Sequence, residues 1–165
     1  MPDNPSAWRI DRAKWQVTSF DGTGAAVEGG RWNSAGIRVV YASAHLAMAA
    51  QEKYIHLPKP VPAAMTFVKF RIDFGGVRVN RLNPRSLPAG WQDSPPTIAT
   101  QQIGDRWVLS GATALLAVPS ALIPEEENYL LNPLHPDFPK IVIHPAESFC
   151  FDLRLAHLEP PSRQA

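Results

Sequence analysis

Between Met65 and Phe74 apolar and polar side chains alternate: Thr66, Val68, Phe70, Ile72 and Phe74 fall on one side, and Lys69, Arg71 and Asp73 on the other with Phe67. A period of two over this length predicts a strand with one face on a core. From Ala44 to His56 the spacing lengthens. Leu46, Ala47, Ala50 and Tyr54 recur at helical intervals among strong helix formers, and Ser43 stands where an N-cap belongs. Glu52 and His56, four apart, share a face of that helix with Met48 and Ala49.

Shorter apolar runs at Trp8 to Ile10, Ile37 to Tyr41, Ala114 to Val118, Lys140 to His144 and Ser148 to Leu153 predict further strands, each bounded by proline or turn residues. Val77 to Leu82 is a candidate partner of the alternating strand across Gly75-Gly76. Ser94 followed by two prolines predicts a helix start, with Ile98, Ile103 and Trp107 as its apolar contacts and Gly104 as a weak point. FDGTGAAVEGG and ENYLLNPLHPD read as loops. About six strands with two or three helices, in no regular alternation, predict a mixed α+β fold and not a doubly wound parallel sheet.

Composition narrows the class. A chain of 165 residues, 45% apolar and 19% charged, is long enough for one core without disulfide or metal staples. The seventeen prolines fall between the periodic segments, so they punctuate short elements instead of forming a disordered linker. Sixteen basic against fifteen acidic residues leave a formal charge of +1, far from the excess that drives direct nucleic-acid binding. The sole cysteine, Cys150 in FCFDLRL, is expected to be a packed core thiol. With no signal-like or bilayer-length apolar run, a cytoplasmic protein without a membrane partner is expected.

The chemistry concentrates in EGGRWNSAGIRVVYASAHLAMAAQE. Arg31 follows two glycines, which let a backbone approach a ligand, and its planar guanidinium can grip a phosphate. Tyr41 ends an apolar strand just before a helix, where a ring can line a cleft, although a core tyrosine with a satisfied hydroxyl explains it as well. Glu52 can steady a developing positive charge, or be an ordinary solvated glutamate. His56 is equally a helix C-terminal residue. Ser120 in AVPSALIP lacks the glycine elbow of a hydrolase nucleophile and reads as a turn serine. Asn128, Asn132 and His135 form a polar set within an apolar stretch. GxGxxG and GxxxxGK[ST] motifs are absent, and no histidine or cysteine pair has metal-ligand spacing, so no metal is expected.

In that order, GGRWNSAG, VVYAS, LAMAAQE, AVPSALIP and NYLLNPLHPD resemble the RES domain family of bacterial toxins, from about Trp8 to Leu155. The arginine, glutamate and serine that name the family match Arg31, Glu52 and Ser120. The resemblance implies a single domain over 1–165, with its core at about 8–155 and a tail over 156–165. It also implies an ADP-ribosyltransferase-like mixed sheet around a cleft that takes NAD+ as substrate. Arg31, Tyr41 and Glu52 would be the catalytic set; Arg31, Tyr41, His56, Ser120 and Asn132 would hold the dinucleotide. Further implied are a cognate antitoxin with an Xre-like helix-turn-helix domain, and a protein, water or phosphate as acceptor of the ADP-ribose. The stretch from Tyr129 to Leu131 is a candidate antitoxin surface. An RNA-targeting toxin and a non-catalytic NAD-binding module are the alternatives.

Overall fold

The computed structural model describes residues 5–156. The expected tail beyond 156 and the first four residues lie outside it. Eight strands are present: β1 (Ser6–Arg12), β2 (Val40–Ser43), β3 (Phe67–Asp73), β4 (Val79–Arg81), β5 (Leu115–Pro119), β6 (Glu127–Leu131), β7 (Val142–Ile143) and β8 (Glu147–Phe149). Four helices accompany them: α1 (Thr23–Glu28), α2 (Leu46–Ile55), α3 (Ile98–Ser110) and α4 (Leu153–Ala156). The strands form one sheet in the order β4-β5-β6-β2-β1-β3-β7, with β8 also paired to β3. Only β4 and β5 run parallel among these pairings. The α+β expectation is met: each of the seven candidate segments overlaps a strand, and β6 is the one the pattern missed.

Side chains of the central strands divide cleanly by face, as the period of two demands. Val40, Ala42, Leu115, Ala117, Tyr129 and Leu131 pack on one face with Ile72 and Phe74. Leu116, Val118 and Leu130 point to the other, where Trp32, Val39 and Trp107 cover them. Next to this second cluster, α2 packs on β1 through Ala49 and Ile10, with Phe67 completing the group. Each fully buried large side chain in these clusters contributes about 1.5–3 kcal/mol.

Several expectations are corrected. The ENYLL stretch is not a loop or an antitoxin surface: it is β6, bonded on both sides by β2 and β5, with Tyr129, Leu130 and Leu131 buried. A run of two asparagines around apolar residues hides a strand because the asparagines serve the same face as Leu130. The loop reading of FDGTGAAVEGG misses α1. Val79–Arg81 pairs in parallel with β5, not as a hairpin with β3, because both edges of β3 are taken, one by β1 and the other by β7 and β8. Ser43 does not cap α2. The helix begins three residues later after His45, which makes no side-chain cap. Similarly, α3 is capped by Thr97, whose side chain accepts from the Thr100 N–H, and not by Ser94; Ile98 lies exposed. Lys140 ends a 3-10 turn and Ser148 pairs with Val68, so the last two strands are shorter and shifted. Cys150 is exposed, just past β8, where its neighbours Phe149 and Phe151 take the inward positions.

Candidate functional site

The segment carrying Arg31 is a tight turn closed by a bridge between Gly30 and Asn33. Asn33 is fully buried and organises it: its side-chain amide donates to the carbonyls of Ala25 (2.9 Å) and Ile37 (3.0 Å). Its Oδ1 accepts from the Tyr41 hydroxyl at 2.6 Å, and that hydroxyl in turn accepts from the Trp32 N–H at 3.1 Å. A Cβ at position 30 would come within 2.7 Å of the Tyr41 oxygen, so the turn sits on the tyrosine only because residue 30 is glycine. Burial pushes the Tyr41 phenol well above its ordinary value, against the opposing pull of the Trp32 N–H, so it remains the protonated donor to Asn33.

Helix α3 clamps the same turn from the other side. Gln101 donates to the Gly30 carbonyl at 3.1 Å, and Asp105 accepts from the Ser34 N–H (2.9 Å) and hydroxyl (2.5 Å). Between them Gly104 lies flush with the Trp32 carbonyl, which an added Cβ would meet at 1.6 Å. The glycine expected to weaken this helix is therefore what lets the helix touch the turn.

Arg31 leaves the turn half-buried. Its Nη1 donates to the carbonyls of Trp91 (2.6 Å) and Asp93 (2.9 Å), in a loop whose Trp91 ring lies 6.5 Å from that of Trp32. Burial pulls its pKa below the ordinary value, while the carboxylates of Glu52 and Asp93 act in the opposite direction. Glu52 thus lies within electrostatic reach of Arg31.

Glu52 is held across the sheet face. Its Oε1 accepts from the Ser120 hydroxyl at 2.8 Å and from the Asn128 amide at 2.6 Å, and among the described residues Oε2 takes no hydrogen bond. Ser120, at the end of β5, is fully buried, and its oxygen accepts the N–H groups of Leu122 (3.1 Å) and Ile123 (3.2 Å). Asn128 is oriented by Ser43, whose hydroxyl donates to its Oδ1 at 2.7 Å. The register that sets Ser43 opposite Asn128, and Asn128 opposite Val118, places all three polar groups on the face under α2. Beside them opens a groove of about 490 Å³, lined by Tyr54, Ile55 and Leu57 with Leu122 and Ile123.

Thus Arg31, Tyr41, Glu52 and Ser120 come together around one face of β2, β6 and β5. His56 lies one turn beyond Glu52, exposed at the C-terminal end of α2. Asn132 is elsewhere: it is buried beyond the far end of β6, its Oδ1 accepting from the Leu134 N–H, roughly 13 Å along the strand from Asn128. Asn128, Ser43 and Asn33 are the site residues that local reading did not assign. The alternation Asn128, Leu130, Asn132 could have pointed to the first of them.

A second polar cluster backs the site. Asp11, 5% exposed, accepts from Arg9 (2.8 Å), Ser19 (2.7 Å), Lys53 (3.1 Å) and the Arg12 N–H (2.8 Å). Burial alone would raise the Asp11 pKa, but Arg9, Lys53 and these hydrogen bonds outweigh it and hold the carboxyl below its ordinary value. A carboxyl depressed in the folded state contributes stability that is complete above its unfolded pKa, about 3.9, and is lost as pH falls through the folded value. Thermal unfolding of the parent and of Asp11→Asn should therefore differ by a constant margin near neutral pH, and the margin should narrow below about pH 4. A margin independent of pH down to acid unfolding would contradict the charged cluster. Among the described residues no helix is long and apolar enough to cross a membrane, and no group of three or more histidine, cysteine or acidic side chains could hold a metal.

The fold has a known counterpart. A chain of the M. tuberculosis MbcT-MbcA toxin-antitoxin complex superposes with a TM-score of 0.66, over 87% of this chain and 83% of that one, at 16% identity. The class defined is this mixed-sheet architecture. Sequence then gives the family: residues 6–154 match the RES domain model, so the chain belongs to the RES domain family. It is 35% identical over 154 residues to the Prs ADP-ribosylating toxin of Sphingobium sp. (strain YBL2), spanning 91% of this chain and 96% of that protein. It is also 33% identical over 150 residues to Toxin Res of Yersinia enterocolitica, spanning 90% and 97%.

Proposed function

We propose that this chain is the toxin of a bacterial toxin-antitoxin pair and consumes NAD+ by breaking its nicotinamide-ribose bond. The observation that carries this is the Glu52 carboxylate, fixed through one oxygen by Ser120 and Asn128, with its other oxygen bonded to no group among the described residues and Arg31 within electrostatic reach. The names of its relatives, one an ADP-ribosylating toxin, support the same reading.

Breaking the bond between ribose C1′ and the pyridinium nitrogen sends the electron pair to that nitrogen, so nicotinamide departs neutral and needs little acid help. Positive charge develops on the ribose, as in glycoside cleavage. The enzyme must then hold the phosphates and stabilise that cation. Arg31 presents Nε and Nη2 to a phosphate while Nη1 stays bonded to its loop. Glu52 accepts a ribose hydroxyl through Oε2 and places its negative charge near C1′. Ser120 and Asn128 keep the carboxylate from swinging. Tyr41 supports the Arg31 turn through its hydroxyl and offers its ring edge to the site, and His56 borders the open side. ADP-ribose then passes to a protein side chain or to water or phosphate: the attacking atom bonds ribose C1′ in place of the departed nicotinamide and gives any proton it carries to solvent. The whole described chain acts as one RES domain in the cytoplasm, restrained by an antitoxin with an Xre-like helix-turn-helix domain.

Purified protein incubated with NAD+, with and without cell extract, should release nicotinamide. Label from the adenylate half on one discrete protein would assign a transferase, and free ADP-ribose products without extract would assign degradation. NAD+ that binds yet stays intact under both conditions would overturn the reading in favour of a binding module, and RNA breakdown without nicotinamide would overturn it in favour of an RNA-targeting toxin.

A further inference from the structure

The ladder between β1 and β2 consists of a single pair, Trp8 opposite Ser43. Beyond it the backbones are not zipped together, yet the strand that carries Tyr41 must be held there. The Arg9 guanidinium bridges the opening: Nη1 donates to the Tyr41 carbonyl at 2.9 Å, Nε to Ser19 at 3.1 Å and Nη2 to Asp11 at 2.8 Å. The other carboxylate oxygen of Asp11 takes Lys53 at 3.1 Å. Lys53 is the residue after Glu52, and successive residues on a helix point about 100° apart.

Consequently one buried carboxylate connects, through two cations, to both halves of the proposed site. Helix α2 has special need of such a tie. It lacks a side-chain N-cap and fully buries only Met48 and Ala49, with Leu46 and Ala50 packed at the edge of the Ile10–Phe67 cluster, so a charged contact at Lys53 adds to what packing alone fixes of its rotation. With Lys53 drawn down to Asp11 beside β1, Glu52 is turned toward Ser120 and Asn128 on β5 and β6.

We infer that Asp11, with Arg9 and Lys53, is a positioning cluster that sets the rotation of α2 and the spacing of β2, and thereby the placement of Glu52 against Tyr41. The inference rests on the proposed NAD+ reading for its kinetic consequence but not for its geometric one. Asp11 touches no reacting atom; it acts through Lys53 and Arg9.

The informative variant is Lys53→Met, which keeps most of the stem and removes the charge, because Asp11→Asn disturbs the Arg9 and Lys53 contacts together and lowers stability as well. Two readouts are needed. The side-chain amide signals of Asn128 in a nitrogen-proton NMR spectrum report the Glu52 contact directly, and steady-state nicotinamide release reports the chemistry. Expected in Lys53→Met are displaced Asn128 amide signals and a kcat lowered roughly tenfold to a hundredfold with KM nearly unchanged, a loss typical of small misplacement. Lys53→Arg should restore both. Asn128 signals in Lys53→Met that match the parent would overturn the inference, as would an unchanged kcat. Should the parent release no nicotinamide, the functional reading fails by itself, and the Asn128 signals alone decide the positioning role.

Discussion

Glu52→Gln should lower nicotinamide release at saturating NAD+ by about 10²–10³-fold, with a much smaller change in KM. The amide is nearly the shape of the carboxylate, and its remaining oxygen can still accept from Ser120 and Asn128, the two donors that meet at Oε1. The fold and the groove beside α2 are therefore expected to survive. What disappears is the negative charge opposite the ribose as the cation develops, an effect realised only in the transition state. Single-turnover release of nicotinamide, measured beside a thermal melt of each protein, separates the two consequences. A rate within about threefold of the parent would remove Glu52 from the chemistry.

Gly104→Ala is expected to destabilise the protein by about 3 kcal/mol, and to lower its melting temperature by about 10 °C. Alanine is ordinarily the better helix former by about 1 kcal/mol. Here the added carbon would lie 1.6 Å from the Trp32 carbonyl, so α3 and the turn must separate. That separation strains the Gln101 and Asp105 bonds to the turn that presents Arg31, so NAD+ affinity should weaken along with stability. Gly24 in α1 is the matched control. A Cβ there meets nothing within 4 Å, and Gly24→Ala should be neutral or stabilising by up to about 1 kcal/mol. Equal melting temperatures for the two variants would refute the close approach.

The contrast between these glycines shows what a sequence carries and what it withholds. Propensity treats Gly104 as a defect because the Trp32 carbonyl, seventy-two positions earlier, leaves no local mark. The alternation over Phe67–Asp73 was legible since a strand's own period reports its buried face, whereas the helix formers of Leu46–Ile55 gave the helix but not its face: Met48 and Ala49 are buried and Ala47, on the expected apolar stripe, is exposed. Strand β6 was not: its polar ends look like turn residues until β2 and β5 flank it. Arg31, Glu52 and Ser120 were recognisable from their motifs. Their partners were not, because Asn128 and Ser43 meet through strand register, and Asp11 and Lys53 meet through the docking of α2 on β1. Asn132 shares the face of β6 with Asn128 but sits at the wrong end, a distinction that only the direction of the strand reveals.

The Ser120 hydroxyl, itself fully buried beneath an exposed turn, has its proton committed to Glu52 and its oxygen occupied by two backbone N–H groups. Such a group has no reactivity to offer an electrophile. Serine-directed covalent reagents should pass this protein by, and on the proposed NAD+ reading an inhibitor scaffold would be an anion for the unused nitrogens of Arg31 joined to a hydroxylated ring for Oε2 of Glu52.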